Sequence, residues 1–145
     1  MKAKEQHVAE VARLFDLYRQ FYECDADVAL AIKFIGDRIR NSESDIFVAL
    51  ENDKAVGFTQ LYPSFCSVDA AKIYILYDLF VAAESRNSGI GANLMNTATE
   101  WARQNGAVRL DLLTENNNLP GQHLYEKLGY VRTNEEFYAY SLAVS

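Results

Sequence analysis

Two rhythms of apolar and polar residues alternate along this chain. Over residues 7–23, Val8, Val11, Ala12, Phe15, Tyr18 and Tyr22 recur three or four apart, which predicts a helix with one buried face. Residues 27–40 repeat the pattern, with Val28, Ile32, Ile35 and Ile39 on one stripe and Asp27 as the N-cap. The period then changes. Ile46 to Leu50 predicts a strand, Glu51 to Lys54 a polar turn, and Ala55 to Tyr62 the hairpin partner. Lys72 to Val81 is a long apolar strand, expected to lie centrally in a sheet. A helix to about Asn105 follows, burying Leu94, Met95, Ala98, Trp101 and Ala102 and exposing Asn93, Asn96, Thr97, Glu100 and Arg103, with Gly106 as its cap. Val108 to Leu113 predicts another strand, and residues 119–128 a short helix with Pro120 in its first turn. Val131 and Glu136 to Val144 are predicted to close the sheet. The order is that of a mixed α/β (α+β) sheet protein, read as a single domain over residues 1–145.

Composition narrows the function classes. Half of the 145 residues are hydrophobic, enough for a core. No run of 18 apolar residues predicts a membrane span, and no apolar segment follows Met1 to Gln6 to suggest a signal peptide. Cys24 and Cys66 match no metal or redox spacing, so reduced thiols, a cytoplasmic setting and no metal are expected. The net charge of −6 disfavours nucleic acid and favours cationic partners such as amines.

The most informative segment runs from Phe80 to Met95. An apolar strand ends, a short polar turn follows, and Gly89 and Gly91 open an amphipathic helix. Such a turn aims unpaired backbone N–H groups outward at the positive end of a helix dipole, a seat for phosphate or pyrophosphate. Glycine matters because a side chain there would hold the anion away from the backbone. Read alone, the segment also fits an ordinary strand-to-helix turn. A dinucleotide fingerprint is the functional rival, and Asp111 lies near the distance where an acidic residue is wanted. Its third glycine, which allows close helix–strand packing, is Leu94 here. No Gly-Lys-Ser/Thr follows, which excludes a P-loop.

Arg86-Asn87-Ser88-Gly89-Ile90-Gly91 instead fits Arg/Gln-x-x-Gly-x-Gly/Ala and resembles the acetyl-CoA pyrophosphate loop of the GNAT superfamily of N-acetyltransferases. Asn118 to Tyr130 resembles the family's later motif, Asn-x-x-Ala-x-x-Leu-Tyr-x-x-x-Gly-Phe/Tyr, with Gly121 in place of the alanine. The two motifs stand in family order, and the resemblance spans roughly residues 8 to 142. It implies the GNAT fold, a mixed, mostly antiparallel sheet flanked by helices and splayed at the acetyl-CoA site. The family's first strand is nearly missing, since only Met1 to Gln6 is left to supply it.

The resemblance also implies roles. The backbone of Arg86, Asn87, Ser88, Gly89, Ile90, Gly91 and Ala92 would hold the pyrophosphate of acetyl-CoA, with charge added by Arg86. Free backbone groups of Leu79, Phe80 and Val81 would pair with the pantetheine arm and polarise the thioester carbonyl. Asn118 would bond the pantetheine or cap its helix. Tyr125 maps onto the tyrosine that protonates the departing thiolate. A free alkylammonium is only about 1 in 2,500 neutral at pH 7, so some group must take its proton. Tyr77-Asp78-Leu79-Phe80-Val81 resembles a segment of the spermidine/spermine N-acetyltransferases whose glutamate is the base, but Tyr77 fills that slot. Asp78 remains as base or amine anchor. Tyr18, Phe21, Tyr22, Glu23, Tyr62 and Phe65 are the candidate wall for a cationic acceptor.

The expected activity is direct acetyl transfer from acetyl-CoA to a primary amine of a small molecule or peptide. The alternatives are an acyl-CoA-binding module of the same fold without turnover and, behind it, a dinucleotide-binding protein. Oligomeric state stays open, although the stretch Phe137 to Leu142 offers an edge through which two copies would pair as a homodimer.

Overall fold

The computed structural model describes residues 1–145. Contacts divide the chain into two compact units, Met1–Leu113 and Thr114–Ser145. In the first, helices α1 (Val8–Phe21) and α2 (Val28–Arg40) precede strands β1 (Asp45–Glu51), β2 (Lys54–Cys66) and β3 (Ala71–Val81), then helix α3 (Ile90–Gln104) and strand β4 (Leu110–Asp111). The second holds helix α4 (Leu119–Lys127). The sheet order is β1-β2-β3-β4, antiparallel except for the parallel β3–β4 pair. This is the mixed α/β architecture that the order of elements predicts.

Each face of the sheet buries a different set of side chains. On one, Val8, Val11, Ala12, Leu14 and Phe15 of α1 and Ala31 and Ile35 of α2 pack with Ile46, Val48 and Phe58. On the other, α3 buries Leu94, Met95, Ala98 and Ala102, and its Trp101 meets Phe47 edge-on at 5.7 Å. Gly57 allows α3 to sit this close. A Cβ built there would stand 3.0 Å from Ile90 and 3.2 Å from Leu94, in the first turns of that helix. Gly57→Val is therefore expected to lower stability by about 1–3 kcal/mol through overpacking, read by chemical denaturation.

The N-terminus supplies a fragment of the edge strand that the sequence lacked in apolar content. Ala3 N donates to Ile46 O and Val48 N to Met1 O, at 2.8 and 2.9 Å, with one bridge between Lys2 and Phe47. The Lys2 ammonium stands 4.4 Å from the centre of the Trp101 ring.

Three expectations are corrected. The stripe on α2 is rotated: Val28 and Ile32 are exposed, and the buried face is Ala31, Ile35 and Gly36, with Ala31 and Ile35 joining the α1 residues in the core. The strand expected over Val108 to Leu113 is reduced to Leu110–Asp111. It pairs with Tyr74 and Ile75 and ends where β3 begins to bulge, since a bulge bends and twists its strand away from a neighbour. Finally, Val131 and Glu136 to Val144 form no strand and do not close the sheet. The period-2 pattern is present, but a strand needs a ladder partner as well. Phe137, Tyr138, Tyr140 and Leu142 are instead almost fully exposed, and the Asn134 carboxamide accepts from the N–H groups of Glu136 and Phe137 in a turn.

Candidate active site

The turn after β3 is built to leave amides unused. Ala82 N closes the ladder onto Val56 O at 2.8 Å, and a 3-10 turn spans Ala83–Ser85. Arg86 Nε donates back to Val81 O at 2.9 Å, with its guanidinium over the Phe80 ring, so this arginine ties the turn to the strand. Ser88 Oγ donates to Ser85 O. Asn87 and Gly89 have positive φ of 63° and 84°, which swings the chain into α3. None of the backbone N–H groups from Asn87 to Ala92 finds an acceptor in the protein. The first helical bond is from Asn93 N to Gly89 O. The other helices are treated differently: Asp27 caps α2, Asn118 caps α4, and α1, which has no side-chain cap either, carries Glu10 in its first turn. No side chain caps α3 and no acidic residue occupies its first turn, so its positive end stays uncompensated.

The second feature lies upstream on β3. Gln60 pairs with Asp78 but Leu61 pairs with Leu76, so Tyr77 is an extra residue, a bulge. Its ring turns outward and its carbonyl accepts from the Tyr18 hydroxyl at 3.4 Å. Asp78, the next residue, is only 4% exposed. Gln60 Nε2 donates to Asp78 Oδ2 at 2.5 Å, and Ser44 Oγ donates to Gln60 Oε1 at 2.7 Å, which sets the orientation of that amide. The Tyr18 hydroxyl lies close enough to the Asp78 carboxylate to favour its ionised form. Burial nevertheless dominates and lifts the Asp78 carboxyl above the usual carboxylate range; the Gln60 hydrogen bond and the Tyr18 hydroxyl only partly offset it. The same burial, together with the charge of Asp78, raises both neighbouring phenols. Tyr62 is pushed up to about 12, and Tyr18 rises as well, so both stay neutral.

Asp78 forms part of a cavity of about 290 Å³ whose wall is otherwise mainly aromatic, from Phe15, Tyr18, Tyr22, Phe34, Tyr62 and Tyr77. Arg19 and Cys24 complete it. The rings are interlocked: Phe15 stacks on Phe34 at 5.3 Å, Tyr18 meets Tyr22 edge-on at 5.2 Å, and Tyr62 meets Tyr77 edge-on at 5.5 Å. Asp16 holds the α1–α2 connection in place. Its Oδ1 accepts from Asp27 N at 2.9 Å and its Oδ2 from Gln20 Nε2 at 3.1 Å. Such a pocket suits a cation with an apolar body, since ring faces and one carboxylate both attract positive charge.

The two features share one strand. Asp78 precedes Val81 by three residues, about 10 Å of strand. Over Leu79, Phe80 and Val81, β3 pairs with β2 on one side and with no strand on the other, because its pairing with β4 ends at Ile75. Alternate backbone N–H and C=O groups on that side are left without ladder partners.

Of the predicted acceptor wall, the structure brings together Tyr18, Tyr22 and Tyr62. Phe21, Glu23 and Phe65 are exposed and outside the cavity. Sequence reasoning missed Phe15, Arg19, Phe34 and Gln60. Phe15 had been counted as core. The polar pair Thr59-Gln60 inside an otherwise apolar strand was the signal for the Gln60–Asp78 pair. In the second unit, Asn118 Oδ1 accepts from Gly121 N at 3.2 Å and Asn118 Nδ2 donates to Thr114 Oγ1 at 2.9 Å. That is the capping use. A Cβ at Gly121 would overlap the Asn118 carboxamide, which accounts for glycine where the resembled motif has alanine. Tyr125 lies on α4, 6.2 Å from Tyr130 between ring centres.

The sequence pattern of the Acetyltransferase (GNAT) family matches residues 11–130. The chain is 46% identical over 129 residues to the uncharacterized N-acetyltransferase YhfO of Bacillus subtilis (strain 168), covering 89% of this chain and 87% of that protein. The crystal structure of a probable acetyltransferase superposes with a TM-score of 0.90 at 37% identity, over 100% of this chain and 97% of the other. An aminoglycoside N-acetyltransferase in complex with CoA shares the fold, with a TM-score of 0.83 at 15% identity over 98% and 93% of the two chains. With its uncapped glycine turn and a family match that runs from α1 through α4, this chain belongs to the GNAT acetyltransferase family and is an acyltransferase.

Proposed function

We propose that this enzyme transfers an acetyl group from acetyl-CoA directly to the primary amine of a small molecule held in the Asp78 cavity. The observation that carries this reading is the buried Asp78 carboxylate within a box of aromatic rings, on the strand that leads into the uncapped turn. CoA in the fold neighbour supports an acyl-CoA donor. The free amides from Asn87 to Ala92 suit its pyrophosphate, and each bond to an ionised oxygen contributes on the order of 1.5–3 kcal/mol. The unpaired side of β3 at Leu79 to Val81 suits the amide groups of the pantetheine arm and the thioester carbonyl.

The acceptor enters as an ammonium attracted by Asp78 and the ring faces. Asp78 takes its proton, a transfer eased from both sides: burial raises the carboxyl toward the amine and lowers the amine toward the carboxyl. The freed lone pair forms the new N–C bond at the thioester carbonyl, and the C–S bond breaks. Tyr125, by the resemblance of its motif, supplies the proton that the thiolate takes, and the amide nitrogen loses its second proton to solvent.

Thermal-shift titration tests the donor. Coenzyme A at about 100 times its Kd should stabilise the fold by about 2.7 kcal/mol, and NAD should leave the melting temperature unchanged. Thiol release with a panel of amines tests turnover. Tyr125→Phe is expected to lose about 10²- to 10⁴-fold in kcat with coenzyme A binding retained. Coenzyme A binding without thiol release from any amine would favour a binding module instead.

A further inference from the structure

The cavity contains a second charge that the acetyl-transfer reading does not use. Arg13, Arg38, Arg40, Arg103, Arg109 and Arg132 each hold a carboxylate in an ion pair, and Arg86 donates to a carbonyl. Arg19 does neither, in a chain of net charge −6. Arg19 is partly buried and lines the cavity beside Phe15, Tyr18 and Tyr22. Glu23, exposed just beyond the end of α1, makes no pair with it. A guanidinium on a mainly aromatic wall that holds no carboxylate of its own leaves its fork of donors open, and that fork matches a carboxylate.

We propose that the acceptor is a zwitterion, a small amino carboxylate with an apolar or aromatic skeleton, whose carboxylate is bound by Arg19 while its ammonium is bound by Asp78. This rests on the cavity being the acceptor site. The lining explains the choice. It offers one negative group, one positive group and, apart from Cys24, aromatic rings elsewhere. A dicationic amine would bring its second ammonium toward Arg19 and be repelled. A plain alkylamine would leave Arg19 unanswered. Only an acceptor carrying both signs satisfies both charged groups, and the pair of contacts also fixes which end of the molecule faces Asp78.

Matched acceptors test this: phenylalanine against phenethylamine, and norleucine against pentylamine, with cadaverine as the dication. For the parent, kcat/KM should favour the carboxylate-bearing member of each pair by about tenfold or more, the worth of a charge-assisted bond. In Arg19→Gln the ratio should collapse to within about twofold, as the fork that reads the carboxylate is gone. In Arg19→Glu it should invert, with cadaverine preferred over norleucine. A second measurement needs no turnover. Hydrocinnamate, a carboxylate without an amine, should raise the melting temperature of the parent and not that of Arg19→Gln. Equal rates for both members of each pair, with no hydrocinnamate shift in the parent, overturn the inference and leave the acetyltransferase reading standing. Absence of both thiol release and coenzyme A stabilisation overturns that reading instead, and the hydrocinnamate shift then decides the Arg19 site by itself.

Discussion

Asp78→Asn should give a protein that melts higher than its parent at pH 8 and turns over about 10²- to 10⁴-fold more slowly. Both effects come from one cause. Burial raises the folded-state carboxyl above its ordinary value of about 3.9, so ionising Asp78 opposes folding. The sign follows from proton linkage. A raised folded value means that the native state holds its proton more tightly than the unfolded chain does. The stability this contributes is complete below about pH 4 and is lost as pH rises through the raised folded value. The asparagine has no such loss. The melting-temperature gap between the variants should therefore open as pH rises above about 4 and close as pH falls back. Asparagine still offers an oxygen to Gln60 Nε2, so the network with Ser44 stays intact and the fold is not the variable. Catalysis has the opposite demand, because only the ionised form can take a proton. The acid limb of the parent's pH–rate profile should lie above the usual carboxylate range and be missing in the variant. Calorimetry across pH, together with rates on one amine, checks both halves. A variant that melts lower at pH 8, or that keeps the parent's acid limb, would show that Asp78 is a structural ion and not the proton acceptor.

Gly91→Leu separates folding from donor binding at the other end of β3. Gly91 lies in the first turn of α3 and does not need the left-handed conformation that Gly89 adopts. Leucine is the better helix former by close to 1 kcal/mol, so the apo protein should be at least as stable as the parent. Its side chain would nonetheless stand among the amides from Asn87 to Ala92 and keep a diphosphate from reaching them. Losing even one or two such charge-assisted bonds should weaken coenzyme A binding by about 10- to 1,000-fold. Isothermal titration on a variant shown to melt normally provides the check. Undiminished affinity would remove the turn from the donor site. Gly89→Ala is the less informative change there, since strain at a φ of 84° would alter the turn itself.

How much of this was legible in the chain varies with the physics of each element. α1 and α3 were legible because a helix satisfies its own backbone and needs only one apolar face. Leu94, Met95, Ala98 and Ala102 are buried as their spacing predicts. The β1–β2 hairpin was legible because its connection is local. Asn52 and Asp53, both at positive φ, are residue types that tolerate that region, and they turn the chain between partners next to each other in sequence. The C-terminal stretch failed for the converse reason. Its alternation is genuine, but alternation specifies only a face, and a strand exists only where another edge accepts its hydrogen bonds.

The glycine turn, its missing acidic cap and the later Asn118 to Tyr130 motif were all properties of contiguous residues, so the sequence alone determined the family and marked the turn proposed as the anion seat. The Asp78 cavity was different. Asp78 on β3, Gln60 on β2, Ser44 before β1, and Tyr18 and Arg19 on α1 are far apart in sequence. What brought them together was the bulge at Tyr77, which turns Asp78 inward under α1, and the packing of α1 and α2 over that face of the sheet. Burial and the company of one unpaired arginine are collective properties of the folded chain, so only the tertiary structure decided which carboxylate has a raised affinity for protons and what it shares its pocket with.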